Sequence, residues 1–255
     1  MGEPTVNANE HLLPLHDAAQ RGDLPKLKAL VEQLKEIDPG NPNGFTPLMR
    51  AAEAGHSETV KWLLGQGACV RRRANDGETP LHMALNGVSW CGRGNPEVVV
   101  MLLDAGSDIS AQDTQGWTPL YAAVASGFED AVNVLLVRGA PVNEKTSFDD
   151  TPLCRAVRGG NLQITKTLLQ RGADPSLPGH EGRTMRDEIQ RAMASKWEWG
   201  GSDNPAMRAG FQSLVSTSPA VHSGSDTHQQ PKSELTPNPE QPRSHRRWWK
   251  FWTAE

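Results

Sequence analysis

One short motif returns along this chain at an almost constant distance, and this repetition limits the fold more than any other feature. The motif is complete in Thr46-Pro47-Leu48, recurs in three later copies, and is altered at Pro14 and at Met185. Its central residues lie at positions 14, 47, 80, 119, 152 and 185, so the spacing is 33 residues in every interval except one of 39. Such a period predicts a solenoid, in which each unit buries its apolar face against its neighbours.

Each unit carries the signals of two short helices. In the second unit Thr46 is a typical N-cap residue, Pro47 suits the first helical turn, and Gly55 is typical of a helix end. A second apolar stretch follows, with Val60 and Leu63 at helical spacing. The sequence therefore predicts helix–turn–helix units joined by short hairpins.

The third copy of the motif identifies the kind of repeat. The residues from Thr79 to Ala84 read Thr-Pro-Leu-His-Met-Ala, and together with the 33-residue period they resemble the ankyrin repeat. The resemblance implies an all-α ankyrin solenoid of about five repeats with a C-terminal cap, followed by a disordered tail. The expected ankyrin-repeat domain covers 11–199, with repeats at about 11–40, 41–73, 74–112, 113–145 and 146–178 and a cap at 179–199.

The flanks of this domain have a different composition. Polar, aperiodic residues predict a disordered lead at 1–10 and a disordered linker at 200–242, with a short helix near 206–215 as an alternative. The last stretch, 243–255, is basic and aromatic, and on a helix its two residue classes would lie on opposite faces. Its candidate contact residues are Arg246, Arg247, Trp248, Trp249, Lys250, Phe251 and Trp252.

Four interpretations of 243–255 stay open. It could lie on a membrane surface, or bind as a peptide in a groove of another protein or of the array itself. It could also be an unstructured end with incidental aromatic residues, or a nuclear-import signal.

Charge and cysteine content exclude several classes of protein. The formal net charge of −4 disfavours a surface that coats nucleic acid, so we expect no direct nucleic-acid binding. Cys69, Cys91 and Cys154 form no C-x-x-C pair, which indicates neither a zinc site nor a disulfide framework. The N-terminal residues lack the apolar core of a secretory signal, and no apolar run of about 18 residues occurs. These features predict an intracellular protein of the cytoplasm or nucleus.

Catalytic signatures are missing from the sequence. It contains no phosphate-binding G-x-x-x-x-G-K-[ST], no H-E-x-x-H and no G-x-S-x-G. Cys91 and His82 could suggest a nucleophile and its base, but His82 occupies a structural position of the repeat and no third group orients it. We therefore expect a protein that is not an enzyme and needs no cofactor or metal.

The resemblance also implies a protein-binding surface on the hairpin tips and on the concave face of the first helices. With a basic run and an inserted tryptophan added, the candidate partner-binding residues are Phe45, Glu53, Arg71, Arg72, Arg73, Asn75, Asp76, Glu78, Asn86, Trp90, Gln115, Trp117, Tyr121, Phe148, Asp150 and Arg158. The aromatic residues among them either anchor a partner or pack on a neighbouring hairpin. The three consecutive arginines either meet an acidic partner or form a solvated hairpin, and the inserted tryptophan is a local lid or a partner contact.

The function expected from these observations is a non-catalytic adaptor or regulator. It would bind one or more proteins as a monomer, and family analogy adds transcription co-regulation as a specific case. The rival interpretation is a peripheral membrane tether or scaffold that uses the basic and aromatic C-terminal segment.

Overall fold

The computed structural model describes residues 13–86, 94–194 and 209–214, and these stretches belong to one unit that spans Met1–Pro219. Within the described residues the regular secondary structure is helical, without strands. The predicted lead at 1–10 lies outside the described residues, as do the tail segments 215–255.

The helices follow each other in pairs. They are α1 Leu13–Arg21, α2 Leu24–Leu34, α3 Pro47–Glu53, α4 Ser57–Gly65, α5 Pro80–Asn86, α6 Pro96–Asp104, α7 Pro119–Ser126, α8 Glu129–Val137, α9 Pro152–Arg158, α10 Leu162–Gln170 and α11 Met185–Ala194. A short 3-10 turn, His180–Gly182, precedes α11, and residues 209–214 are helical.

Two layers of helices form the stack. The first helices α1, α3, α5, α7, α9 and α11 pack in that order, each against the next. Among the second helices, α4, α6, α8 and α10 pack in sequence beside them. The prediction of an all-α stack of helix–turn–helix repeats is confirmed for the part of the chain that the structure describes, while the exact repeat boundaries stay a prediction.

The motif threonines start the first helices. The hydroxyl of Thr46 accepts a hydrogen bond from the Met49 amide at 3.3 Å, and the hydroxyl of Thr118 accepts one from the Tyr121 amide at 3.2 Å. Because the proline that follows each threonine lacks an N–H, it fits the first turn, where that donor has no helical partner. The same three residues therefore begin the helices of these units in the same way.

The motif leucines hold the layers together. Leu15, Leu48, Leu81, Leu120 and Leu153 are each at most 2% exposed. Burial of a leucine side chain stabilises a fold by roughly 1.5–3 kcal/mol. The repeat period thus places one large apolar contact at every junction between first helices.

Backbone hydrogen bonds join neighbouring hairpins. The amide of Thr114 donates to the Asp76 carbonyl at 2.9 Å, and the amide of Ser147 donates to the Gln115 carbonyl at 2.9 Å. Gly116 has φ +74° and faces this junction, where an added Cβ would lie 2.6 Å from the Ser147 nitrogen. Asp149 takes the equivalent position in the fifth repeat and keeps a positive φ of 57°.

The insertion and the C-terminal end complete the fold. Helix α5 ends at Asn86 and α6 begins at Pro96, so the extra residues of the third repeat lie between these helices. Farther along, Phe211 is fully buried in the same core as Leu168 and Ile189. Residues 209–214 are thus helical and packed on the core, within the stretch 200–242 for which the sequence left a disordered linker and a short helix near 206–215 as alternatives.

Candidate functional site

One row of side chains runs along the first helices. Its members lie two residues before a motif proline or six residues after one, so the stacking of the first helices brings equivalent positions side by side. We call this set the first-helix row, and it consists of Phe45, Glu53, Glu78, Asn86, Trp117, Asp150 and Arg158.

An aromatic ring and an ion pair begin the row. Phe45 is partly buried against Met49 and Met83, and the Arg50 guanidinium lies 4.5 Å from the centre of its ring. Arg50 Nη1 also lies 2.8 Å from Glu53 Oε2. A positive charge above an aromatic face is attracted by the ring electrons, so Arg50 holds the exposed side of Phe45 in place.

A partly buried carboxyl group occupies the middle of the row. Asn86 Nδ2 donates a hydrogen bond to Glu78 Oε1 at 2.6 Å. Burial, and then the nearby charges of Asp76, Asp113 and Glu53, raise the pKa of Glu78 to about 7. Near neutral pH this side chain therefore exists in both its charged and its neutral form.

Two aromatic rings follow. Trp117 is half-buried, and its ring centre lies 4.9 Å from that of Tyr121 at an angle of 58°. The Tyr121 hydroxyl donates to Asp150 Oδ2 at 2.6 Å. Burial and then the Asp150 charge raise the pKa of Tyr121, so its hydroxyl stays a neutral donor. Trp117 thus packs on the Tyr121 ring, which is held in place by its hydrogen bond to Asp150.

Ion pairs between buried carboxylates and partly exposed arginines close the row at its C-terminal end. Asp150 pairs with Arg158, whose Nη1 also lies 3.9 Å from Glu188 Oε1. Burial acts to lower the pKa of Arg158, but the charge and hydrogen bond of Asp150 together with the charges of Tyr121 and Glu188 outweigh it, so the pKa is raised. Arg183 Nε approaches the same Glu188 oxygen at 3.6 Å. Separating one partner from such a network would leave a buried charge uncompensated, which is costly in free energy. The side chains of the network are therefore held in place.

Comparison with known proteins decides the family. A family model described as ankyrin repeats (3 copies) matches residues 15–113 and 88–178. The chain belongs to the ankyrin-repeat family. Ankyrin repeats are non-catalytic modules for protein–protein interaction, so the described stack is an interaction domain.

Several relatives of this ankyrin array have regulatory or inactive roles in their names. The protein phosphatase 1 regulatory subunit 27 of Mus musculus is 32% identical over 104 residues, covering 40% of this chain and 64% of that protein. The probable 26S proteasome regulatory subunit p28 of Saccharomyces cerevisiae is 35% identical over 125 residues, or 48% and 52% of the two chains. The inactive serine/threonine-protein kinase TEX14 of Bos taurus is 34% identical over 115 residues, 45% of this chain and 7% of the kinase. The array thus spans less than two thirds of each of these relatives.

Two predicted contact residues of the ankyrin array are buried in the structure. Tyr121 is 4% exposed and Asp150 is 2% exposed, and their polar atoms bond to each other and to Arg158. Their side chains are covered because the two residues pair across adjacent repeats. They support Trp117 and Arg158, which are partly exposed.

Most of the remaining predicted residues lie at the hairpins of the array. Asn75, Asp76, Gln115 and Phe148 are exposed at the tips, and Phe148 is 50% exposed. The basic residues at 71–73 are exposed in the loop after α4. Trp90 of the insertion and the C-terminal contact residues at 246–252 lie outside the described residues.

Three charged residues near the row were missed by the sequence analysis. Arg50 covers Phe45, and Arg183 and Glu188 extend the ion pairs around Arg158. Glu188 lies three positions after Met185, on the expected buried side of the cap. A charged residue at such a position is unusual and could have identified it.

The thiol and imidazole groups of the array do not form a reactive pair in the described part of the chain. Burial raises the pKa of Cys154, which keeps the thiol protonated, whereas Cys69 is exposed. His82 Nδ1 accepts from the Thr79 amide, so Nε2 carries the proton and donates to the Trp117 carbonyl at 3.0 Å. Burial also lowers the pKa of His82. Cys91, its proposed counterpart, lies outside the described residues.

The same described residues contain no cluster of His, Cys, Asp or Glu able to hold a metal ion. None of the helices among them is long and apolar enough to cross a bilayer.

Proposed function

We propose that this chain is a non-catalytic adaptor or regulator that binds a protein partner through the exposed side chains of the first-helix row and the adjacent hairpin tips. The observation that carries the proposal is the half-buried Trp117 ring, which packs on Tyr121 beside the carboxyl and guanidinium groups of the row. Tryptophan and arginine in partly desolvated positions are the side chains that most often dominate binding energy at interfaces.

Rigidity beneath the row supports this proposal. The Tyr121 hydroxyl, Asp150 and Arg158 are linked by hydrogen bonds and ion pairs, and His82 binds the Trp117 carbonyl. Side chains that are already ordered lose less entropy when a partner binds. The row therefore has both the residue types and the preorganisation of a binding surface.

A regulatory role follows from the same proposal. The names of two relatives describe them as regulatory subunits, which supports a regulator more than an isolated scaffold. We extend the proposal to a monomer inside the cell, in the cytoplasm or the nucleus, with transcription co-regulation as one specific case. Contact would be with a protein and not directly with nucleic acid, in keeping with the net charge of −4.

A pair of tryptophan variants tests the proposal. Trp117→Ala removes the aromatic ring from the first-helix row, and Trp62→Ala removes a partly buried ring from the second-helix layer as a matched control. Proteins captured from a cell lysate by full-length wild type are quantified by mass spectrometry, and the enriched partner is then titrated against both variants. Loss of an interface anchor costs about 2 kcal/mol or more, so Trp117→Ala should weaken binding by roughly 30-fold.

Circular dichroism establishes that both variants are folded at the temperature of the titration. The proposal fails if Trp117→Ala binds as tightly as wild type, or if Trp62→Ala loses as much affinity.

The membrane tether is the second candidate function, and the sequence of 243–252 favours it. That stretch carries Trp248, Trp249, Phe251 and Trp252 together with four basic residues. Tryptophan prefers the interface of a bilayer, and basic side chains bind anionic headgroups. Co-sedimentation with phosphatidylcholine vesicles, with and without phosphatidylserine, should then depend on this stretch.

The control for the tether is a chain that ends at 242, which keeps residues 209–214 in place. If full-length protein and this shorter chain both stay in the supernatant at low salt, the tether is ruled out.

A further inference from the structure

The residues two positions before the motif prolines change in chemistry along the first-helix row. Phe45, Glu78 and Trp117 occupy this position in three consecutive repeats, and each of them is partly exposed. Helices that pack side by side lie about 8–10 Å apart, so the stacking of α3, α5 and α7 aligns the three side chains. A carboxyl group thus lies between two aromatic rings on the surface of the array.

The first of these rings shows how the array itself holds a guanidinium. Arg50 lies 4.5 Å from the centre of the Phe45 ring, and its Nη1 is 2.8 Å from Glu53 Oε2. An aromatic face together with a carboxylate binds a guanidinium through both its flat surface and its N–H donors. This position is therefore already filled by a residue of the chain.

The second ring has no such cation. In the part of the chain that the structure describes, no Lys or Arg side chain lies over the Trp117 ring. Arg50 follows its motif proline by three positions, where the next two repeats carry Met83 and Ala122. Trp117 packs on Tyr121 and is only half-buried, so part of its ring stays open to a partner.

The carboxyl groups around Glu78 also lack a cation. Among the described residues, no Lys, Arg or His nitrogen lies within 4.0 Å of the carboxyl oxygens of Asp76, Glu78 or Asp113. Burial, and then the charges of Asp76, Asp113 and Glu53, raise the pKa of Glu78 to about 7. The strongest charges acting on Glu78 are thus all negative.

Basic residues on either side of this stretch are engaged elsewhere. Arg73 donates to the Gln112 carbonyl in the loop that follows α6. Arg155 and Arg158 belong to α9 at the other end of the row, where Arg158 pairs with Asp150. The unbalanced charge of the row is therefore negative and lies between the two aromatic rings.

We propose that the partner protein places a basic side chain, arginine or lysine, between Phe45 and Trp117, where it pairs with the Glu78 carboxylate. The cation contacts the exposed part of the Trp117 ring, as Arg50 contacts the Phe45 ring. The neighbouring carboxylates attract it at longer range. This inference rests on the proposed function, because it names the chemistry of the partner at the same surface.

The test selects peptides with the full-length chain and asks which residues they carry. A phage library of random dodecapeptides is depleted on immobilised Trp117→Ala and then selected on wild type, so that the retained peptides depend on the row. We expect an arginine or lysine at one recurrent position of the enriched peptides. Enrichment of peptides without a basic residue would overturn this proposal and leave the proposed function standing. If no peptide depends on Trp117, the proposed function fails and this proposal fails with it.

A double-mutant cycle tests the contact with Glu78. An enriched peptide and its copy with the basic residue replaced by glutamine are labelled with fluorescein. Both are titrated by anisotropy at pH 8, where the Glu78 carboxyl is charged, against wild type and Glu78→Gln. Each change alone should weaken binding roughly tenfold, and the two together should weaken it by little more than one. Losses that simply multiply would overturn the pairing.

The matched control is Glu32→Gln, because Glu32 is an exposed carboxylate of α2 outside the row. It should change the affinity by less than about twofold. Equal losses in Glu32→Gln and Glu78→Gln would overturn the proposal in favour of unspecific attraction by the net negative charge. The peptide variant keeps the test decisive if Glu78→Gln does not fold, since removal of the basic residue must still weaken binding to wild type.

Discussion

Glu78 shows how the protonation of a single side chain of the row is linked to the stability of the fold. Its carboxyl group is partly buried near Asp76, Asp113 and Glu53, and its pKa is about 7 in the folded chain against an ordinary value of 4.5. The folded state therefore holds this proton more tightly than the unfolded state does. Linkage then requires that the contribution of Glu78 to stability falls as pH rises from about 4.5 to 7.

Replacing Glu78 by Gln should stabilise the fold at alkaline pH and leave it unchanged in acid. The amide keeps an acceptor for Asn86 and cannot ionise. Because one pKa unit corresponds to about 1.4 kcal/mol, the gain above pH 7 has an upper limit of about 3.5 kcal/mol and should vanish below about pH 4.5. Melting temperatures of wild type and variant across that range measure it, with the exposed Glu32→Gln as control. A difference that is the same at pH 5 and pH 8 would contradict the assignment.

At the scale of the hairpin, comparing Gly116 with Gly139 distinguishes the cost of backbone strain from the cost of a close contact. Gly116 and Gly139 both have positive φ, +74° and +85°, but only at Gly116 would a Cβ meet a neighbour, the Ser147 nitrogen at 2.6 Å. Alanine at either site should lower the free energy of unfolding by about 1–2 kcal/mol, because it must adopt a left-handed backbone conformation. Gly116→Ala should cost at least roughly 1 kcal/mol more, because it must push the next hairpin away.

Urea unfolding of the two glycine variants gives this comparison directly. Hydrogen exchange at the Ser147 amide should be faster in Gly116→Ala and unchanged in Gly139→Ala. Equal losses of stability in the two variants would show that the hairpin containing Ser147 moves away from the added methyl group at no cost in free energy.

Helix α6 offers a matched pair of leucines for the packing of the second layer. Leu102 is fully buried, whereas the adjacent Leu103 is only partly buried. Leu102→Ala should lower the free energy of unfolding by roughly 2–5 kcal/mol, as buried large-to-small changes do, and Leu103→Ala by clearly less. A thermal melt that finds no loss in Leu102→Ala would contradict its place in the core.

The elements were predictable because their signals are local and periodic. Thr46 and Pro47 are typical of a helix start, and the period of 33 residues identifies which positions meet in the stack. The pairing of Tyr121 with Asp150 was not predictable, since it depends on how two side chains orient across a repeat junction. The position of Phe211 was missed for another reason: residues 209–214 lie beyond the last repeat, where no period indicates what they contact.

At the scale of the whole molecule, the C-terminal end of the stack depends on Phe211. In a linear array each repeat contacts only its neighbours, so damage at one end should stay at that end. Phe211→Ala should lower stability by roughly 3–5 kcal/mol if the array unfolds as one unit. If instead the end frays, hydrogen exchange should rise in α10 and α11 and stay unchanged in α3 and α4.

Leu214→Ala is the control for this experiment, because Leu214 packs on the same core but is only partly buried. Unaltered exchange and melting in Phe211→Ala would show that residues 209–214 do not support the last repeats.

The backbone bonds between hairpins have one more consequence. Ser147 and Gln115 are joined through main-chain atoms, so the Gln115 and Phe148 side chains play no part in that bond. The side chains that we propose for recognition and the main-chain atoms that join the hairpins are thus different atoms of the same loop. A library randomised at these two positions could be selected for a new target while the scaffold that displays it keeps its melting temperature.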